Sequence, residues 1–411
     1  MSNNAPGATA PAETPKYAWA VLFALYLASL TATLNMFKLP PIIPNVVEAF
    51  GIDITRAGDL MSVFSIMGFL LAIPAGFILK RFGIKLAVLF SIGTVTLGAI
   101  LGAVAASPGM LSFGLLYAGR FIEGIGMGLV MVASPFAISQ WFPLNNRALP
   151  TGLWASCVGI GNIVPLFLVP SMVEAFSLQA IWWAGAIFAA VSFVLFAIIF
   201  RMPRENEMPA APAPPAAAGE APPSLWKGMA NINYWLLGIG FGAYNLVVLA
   251  LLTFLPTFLN DVRGYAMATA SGLTALVMLA SIITGPTGGY ISDKLGKRKS
   301  VVLIVYAIMT LTLLVPFSAV GWQVPAFMIA FGIFGGPIAP ILLASVPEVA
   351  KSPMLIGIGM ACTAVCQNLG MYIGPMLFIR LQVAFDWTMA GYLMIPVCII
   401  GMIAVWRTKV R

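Results

Sequence analysis

Apolar runs of about 20 residues recur along the chain, separated by short breaks that carry the charged residues and most of the Gly-Pro punctuation. A helix rises 1.5 Å per residue, so about 20 residues cross a hydrocarbon layer about 30 Å thick. The first six runs are 17–39, 58–79, 84–106, 109–140, 149–173 and 180–200. Six more occupy 234–259, 266–291, 300–320, 324–346, 354–381 and 388–406. Between the two sets lies PAAPAPPAAAGEAPP, a Pro/Ala segment that cannot build a packed core and predicts a semi-extended linker. The pattern predicts an all-α, polytopic membrane protein with twelve transmembrane helices in two pseudo-symmetric six-helix halves. The predicted division is a disordered tail (1–16), an N-terminal bundle (17–200), a linker (201–231), a C-terminal bundle (232–406) and a short tail (407–411).

Composition sharpens this picture by exclusion. With 61% hydrophobic and 8% charged residues, the chain cannot clothe a water-soluble globule. Histidine is absent, which removes imidazole bases, His metal ligands and every Ser-His or Cys-His dyad. No catalytic cluster and no phosphate-binding G-x-x-x-x-G-K-[ST] loop is visible, so the reading is a non-enzyme without cofactor or metal. The net charge of +8 sits in the breaks and reports topology rather than nucleic-acid binding. With alternating spans, Lys16, Lys80, Arg81, Lys85, Arg147, Arg201, Arg204, Lys294, Lys297, Arg298, Lys299, Arg407 and Lys409 fall on one side. Arg56, Arg263, Arg380 and Lys38 fall on the other. The positive-inside bias therefore places both termini and the linker in the cytoplasm, and the protein as a multi-pass component of the cytoplasmic membrane. Residues 1–14 lack the basic n-region of a signal peptide.

An internal repeat supports two halves. Gly76-Phe-Ile-Leu-Lys80-Arg81-Phe-Gly83 follows the second run and Gly289-Tyr-Ile-Ser-Asp293-Lys294-Leu-Gly296 follows the eighth, at a constant offset of 213 residues. Leu39-Pro40-Pro41 and Leu255-Pro256-Thr257 echo each other upstream. These elements, with Arg120-Phe-Ile-Glu-Gly124-Ile-Gly126 and the Trp141-Phe142-Pro143 to Thr151-Gly152-Leu153 stretch, resemble the major facilitator superfamily of secondary transporters over essentially the whole chain. The resemblance implies a gating loop, G-x-x-x-D-R-x-G-R-K in outline. Gly289, Asp293 and Arg298 match it well; Gly76 and Lys80 match it degenerately, with a cation where the pattern wants an acid. A glycine near a helix end permits close helix approach, and the carboxylate after it can complement a neighbouring helix N-terminus. Asp293 would then latch one side shut, while the latch at Lys80 is lost or rewired. Simple positive-inside anchoring is the alternative for both loops.

The deep charges carry the functional expectation. Counted from Gly109, Arg120 lies about 16 Å along its helix, near the midplane, and intramembrane ionisable groups are costly and usually functional. Glu123, three residues on, shares its face. A self-contained ion pair tethering this helix is one reading; an anion sensor at Arg120 with proton coupling at Glu123 is the other. Lys38, after Asn35, either faces the cavity or snorkels outward, as does Arg380. Asn35, Asn162, Tyr244, Asn245, Gln367 and Asn368 are polar groups within spans, suited to substrate contact or to interhelical hydrogen bonds. Two cations against one acid give the cavity a positive character. The expected function is alternating-access transport of a small organic anion by a monomer, driven by protons or by exchange with a counter-substrate. Proton-coupled efflux of amphipathic or cationic compounds is the alternative.

Overall fold

Without water to bond the backbone, a lipid-exposed segment must satisfy its own N–H and C=O groups, which a helix does internally. A computed structural model of the chain describes residues 15–72, 74–143, 148–204, 207, 229–350 and 355–410, and these are helical with no strand among them. The N-terminal half comprises α1 (Tyr17–Phe37), α2 (Ile43–Phe50), α3 (Ile54–Leu71), α4 (Pro74–Ala105), α5 (Phe113–Trp141), α6 (Ala148–Ala175) and α7 (Leu178–Ile199). The C-terminal half comprises α8 (Ile232–Asp261), α9 (Met267–Leu295), α10 (Arg298–Thr312), α11 (Gln323–Gly335), α12 (Ile338–Ser345), α13 (Ile356–Ala384), α14 (Trp387–Tyr392) and α15 (Met394–Trp406). Short 3-10 turns at Pro40–Ile42 and Pro347–Val349 join α1 to α2 and follow α12. Among the described residues, eleven helical stretches are long and apolar enough to cross a membrane.

Proline and glycine move several predicted boundaries. The stretch expected to span 300–320 is helical only over α10, 15 residues or about 22 Å, because turns follow Thr312 ahead of Pro316, which restricts Val315 and lacks an N–H. The second predicted run, 58–79, is instead α3 ending at Leu71, with Pro74 opening α4. Residues 76–82 therefore form the first turns of α4, and the chain breaks at Gly83 (φ +77°, ψ 164°). The predicted start at Gly109 is also corrected: Gly109 sits in a left-handed turn (φ +86°) and α5 begins at Phe113, capped by Ser112. The predicted tail and most of the linker, 1–14 and 208–228, and Arg147 lie outside the described residues.

The first residues of the predicted linker are built into the N-terminal half. Arg201 stacks its guanidinium over Tyr17 (4.2 Å) and Trp141 (5.2 Å) and pairs with both carboxylate oxygens of Glu207. Hydrogen bonds from the Arg201 side chain and the Arg204 backbone pull the Glu207 carboxyl down to about 2.

The described glycines with positive φ fall into pairs: Gly51 with Gly264 and Gly83 with Gly296, each 213 residues apart, and Gly109 with Gly321, 212 apart. Turns that require a left-handed residue thus recur at the period of the sequence repeat. Small residues also set the closest helix contacts, as association in lipid demands. On α13 a Cβ at Gly370 would overlap the Gly242 carbonyl of α8. By contrast, a Cβ at Gly289, in the exposed last part of α9, meets nothing within 4 Å.

This contrast predicts opposite responses to the same added methyl. Gly370→Ala should separate α8 from α13 and cost about 1–3 kcal/mol as overpacking. Gly289→Ala should gain up to about 1 kcal/mol in helix propensity. Thermal melting of the purified variants in detergent, followed by loss of the monodisperse peak, checks the pair; equal melting temperatures would contradict this packing.

Candidate functional site

The end of α1 creates the site. A helix leaves its last carbonyls without amide partners, and Pro40 lacks the N–H that would otherwise reach the Met36 carbonyl. The α-helix stops at Phe37, and Arg120 of α5 takes up the exposed oxygens: NH1 donates to Asn35 O (2.7 Å) and NH2 to Met36 O (3.2 Å). The negative end of the α1 dipole favours a cation at this place. The remaining Arg120 donors are also engaged, Nε with Leu60 O (3.4 Å) of α3, NH1 with Glu123 Oε2 (2.7 Å) and NH2 with the Met61 sulfur (4.0 Å). All five N–H groups of the guanidinium are therefore directed at protein acceptors. Phe64 of α3 lies beneath its plane at 4.4 Å.

Glu123 joins this cation to a second one. Its Oε1 accepts from Lys38 Nζ at 2.7 Å, and Lys38 also donates to Asn35 Oδ1 at 2.8 Å. Asn35 is fixed in turn by donation from its Nδ2 to Thr31 O (2.9 Å). The Lys38 ammonium stands 5.2 Å from the centre of the Trp182 ring of α7. Lys38, Arg120 and Glu123 are the buried charged side chains among the described residues, each at most 3% exposed. Two protein acceptors serve the three hydrogens of Lys38, which sets it apart from the saturated Arg120.

Close backbone approach makes room for these groups. A Cβ at Gly98 of α4 would stand 2.6 Å from Glu123 Cγ, and one at Gly185 of α7 would stand 2.5 Å from Asn35 Oδ1. A Cβ at Gly102 would overlap the Trp182 indole. Three helices, α3, α4 and α7, thus present flat or side-chain-free surfaces to one ion cluster.

The structure unites four of the expected residues and separates the others. Asn35, Lys38, Arg120 and Glu123 form one hydrogen-bonded unit. Its depth differs from expectation: Arg120 is seven residues from the start of α5, about 10 Å rather than 16 Å. Among the described residues no hydrogen bond connects Asn162, Tyr244, Asn245, Gln367 or Asn368 to this unit. Asn245 and Asn368 donate to their own helices, at Phe241 O and Ala364 O, both at 2.9 Å. Asn368 Oδ1 also abuts Gly68 of α3. Tyr244 stacks on Phe241, and Asn162 is buried with its carbonyl oxygen unpartnered.

Charges nearer the helix ends distinguish the two ends of the molecule. At the end bearing the Gly51 and Gly264 turns, Arg380 of α13 pairs with Asp59 of α3 at 3.0 Å, bridging the halves; the expected snorkelling is replaced by an ion pair. Beside it a Cβ at Gly58 would touch Ile379 (2.9 Å) and Phe254 (3.1 Å). At the opposite end Gly76 and Gly289 face open space and Lys80 is exposed. Asp293 does not cap a neighbouring helix; it accepts from Arg298 (2.6 Å), which also binds Glu348 and the Ala344 carbonyl within the same half. The expected close approach of the latch glycines is therefore absent: an added Cβ at Gly76 or Gly289 meets nothing within 4 Å, whereas Gly58 at the other end is packed against Ile379 and Phe254.

Sequence reasoning overlooked the Lys38–Glu123 pair, the Trp182 and Phe64 walls and the partners Asp59 and Glu348. The Pro40-Pro41 pair was the available signal, since it announces orphan carbonyls beside two deep cations.

Comparison with known proteins agrees with this architecture. The model of the Major Facilitator Superfamily matches residues 25–350 and 266–411. The chain is 25% identical over 281 residues to the hexuronate transporter of Bacillus subtilis (strain 168), covering 68% of this chain and 65% of that protein. It is thus matched to just under two thirds of that relative's length. It is 27% identical over 305 residues to the probable nitrate/nitrite transporter NarK2 of Mycobacterium tuberculosis (strain ATCC 25618 / H37Rv), covering 72% and 71%. An uncharacterized MFS-type transporter of Bacillus subtilis, YcxA, is 25% identical over 415 residues, 94% and 93% of the two chains. With the family model spanning nearly all of the helical region, the chain belongs to the Major Facilitator Superfamily of membrane transporters.

Proposed function

We propose that the protein is a secondary active transporter that moves a small organic anion across the cytoplasmic membrane by alternating access, coupled to protons or to exchange. The carrying observation is the buried cluster of two cations and one acid in which Lys38 keeps a hydrogen unclaimed by protein. Lys38 receives the anion, Arg120 positions α1, α3 and Glu123, and Glu123 is the group suited to gain and release a proton. A site of positive sign repels cations, which disfavours efflux of cationic compounds. The relatives support the sign of the substrate: their names specify hexuronate, nitrate/nitrite and ascorbate.

The unequal contacts at the two ends support the mechanism. Asp59, Arg380 and Gly58 hold one end shut, and the Gly76 and Gly289 segments come together when the other end closes. The lysine- and arginine-rich breaks support a cytoplasmic position for that second end, the linker and both termini. An arrangement of twelve spans in two halves keeps both termini on one side, with α10 and the turns after it supplying the ninth crossing; the paired left-handed glycines support such a repeat. The protein acts as a monomer in this reading.

The roles of the two cations separate experimentally. Lys38→Ala leaves Glu123 paired with Arg120, so the protein should fold while anion binding falls at least about tenfold, as expected for a lost charge-assisted bond. Arg120→Lys cannot serve five acceptors and should cost about 3–5 kcal/mol of stability. Binding isotherms and melting curves on both variants test the assignment; full anion affinity in Lys38→Ala would refute it.

Topology gives a second test. A cysteine placed in the 208–228 segment should resist an impermeant thiol reagent in intact cells and react after the membrane is opened. Ready labelling in intact cells would reverse the assigned orientation.

A further inference from the structure

The charge count of the cluster specifies more than the sign of its ligand. We infer that the substrate binds as a monoanion, one net negative charge per molecule. This inference rests on the anion-transport reading and adds a valence to it.

The excess charge of the site is one. Both Glu123 oxygens accept bonds from cations, at 2.7 Å each, and in the deprotonated form, with no coupled proton bound, Glu123 sets one negative charge against the ammonium of Lys38 and the guanidinium of Arg120. The other ionisable groups on the surrounding helices do not enter the count. Lys16 lies before the start of α1, and Arg56 and Asp59 of α3 are outside the buried set, Asp59 already balanced by Arg380. Glu174 of α6 is exposed, as are Lys80 and Arg81 of α4.

An uncompensated charge in a buried interior is costly, and the residual positive charge here is relieved by partial charges, from the Asn35 side-chain oxygen, the carboxyl end of α1 and the Trp182 and Phe64 ring faces, with no full negative charge to cancel it. A ligand with one negative charge cancels the excess and supplies the acceptor that the third Lys38 hydrogen lacks. A dianion overshoots, leaving a net negative charge beside a helix C-terminus that is itself negative. A neutral analogue supplies the acceptor but leaves the positive charge in place. Arg120 cannot absorb a second carboxylate, because its five donors are committed.

Pairs of acids on one carbon skeleton isolate this variable. Propionate and succinate, and gluconate and glucarate, would be titrated at pH 7 against the purified full-length protein, with affinity read by thermal shift and by competition. In at least one pair the monoanion should bind about tenfold tighter or more, a margin set by stranding one buried charge. Glu123→Gln raises the excess to two and should narrow or reverse that ratio in favour of the dianion. Asn35→Asp retains the oxygen that Lys38 uses, removes the excess and should weaken monoanion binding by at least as much. Because the two variants move the charge in opposite directions with little change of shape, and the wild-type ratio needs no variant, a folding defect in one leaves the others decisive. Wild-type binding of the dianion as tight as that of its monoanion would overturn the inference and leave anion transport standing. If no anion of the panel binds while neutral or cationic compounds do, the anion reading itself falls.

Discussion

The cluster depends on a defect in hydrogen bonding that the sequence builds deliberately into α1. Pro40 deprives the helix end of an amide, and in an apolar interior the orphan carbonyl must find another donor. Arg120 is that donor, and its position commits three helices at once, through Asn35 and Met36 on α1, Leu60 and Met61 on α3 and its own α5. A lysine would not do, since one ammonium cannot reach four carbonyl and carboxylate oxygens fixed in different directions. Glu123 then balances Arg120, and its second oxygen is what draws Lys38 inward. The burial of three charges follows from one missing N–H.

Such a unit is stable only if no member lacks a partner, because a half-satisfied ionic network costs more than an apolar core. The glycines supply that completeness. Gly98 lets Glu123 lie against α4 and Gly185 lets Asn35 approach α7, so the backbone of neighbouring helices comes close to the charges. The walls of Phe64 and Trp182 serve the same end, placing aromatic faces under cations where hydration has been stripped away.

The sequence made the helices and the deep charges legible, because about 20 apolar residues have one stable arrangement in lipid and a charge among them is conspicuous. The 213-residue repeat was legible too, and its structural expression in Gly51, Gly83, Gly264 and Gly296 is conformational rather than chemical. Partner choice was harder to see. Arg120 and Glu123 are neighbours by helical periodicity, whereas Lys38 meets Glu123 across 85 residues and only after the chain turns at Pro40. Asp59 and Arg380 are separated by 321 residues and lie in different halves, a distance no local pattern bridges. The neutral polar groups make local bonds that the sequence left open. Asn245 and Asn368 each donate to the carbonyl four residues back on their own helices, a bond that leaves no trace in the sequence.

A carrier that exposes one site to two sides needs contacts of two strengths, and the ion pairs divide accordingly. The Lys38–Glu123–Arg120 unit is buried among helices of the N-terminal half, so losing Glu123 or Arg120 strands a buried charge, whereas losing Lys38 leaves a neutral pair. Asp59 and Arg380 join the halves with side chains 28% and 47% exposed, where water replaces either partner and the pair is worth about 0–1 kcal/mol. In the proposed cycle such a contact can be made and broken, held in register by the apolar seat of Gly58 against Ile379 and Phe254. Asp293, Arg298 and Glu348 are also partly hydrated, yet they stay within the C-terminal half and shape its surface instead of bridging to the other. In the proposed alternating-access cycle, the side-chain-free patches at Gly76 and Gly289 are where two helices can meet without first displacing anything.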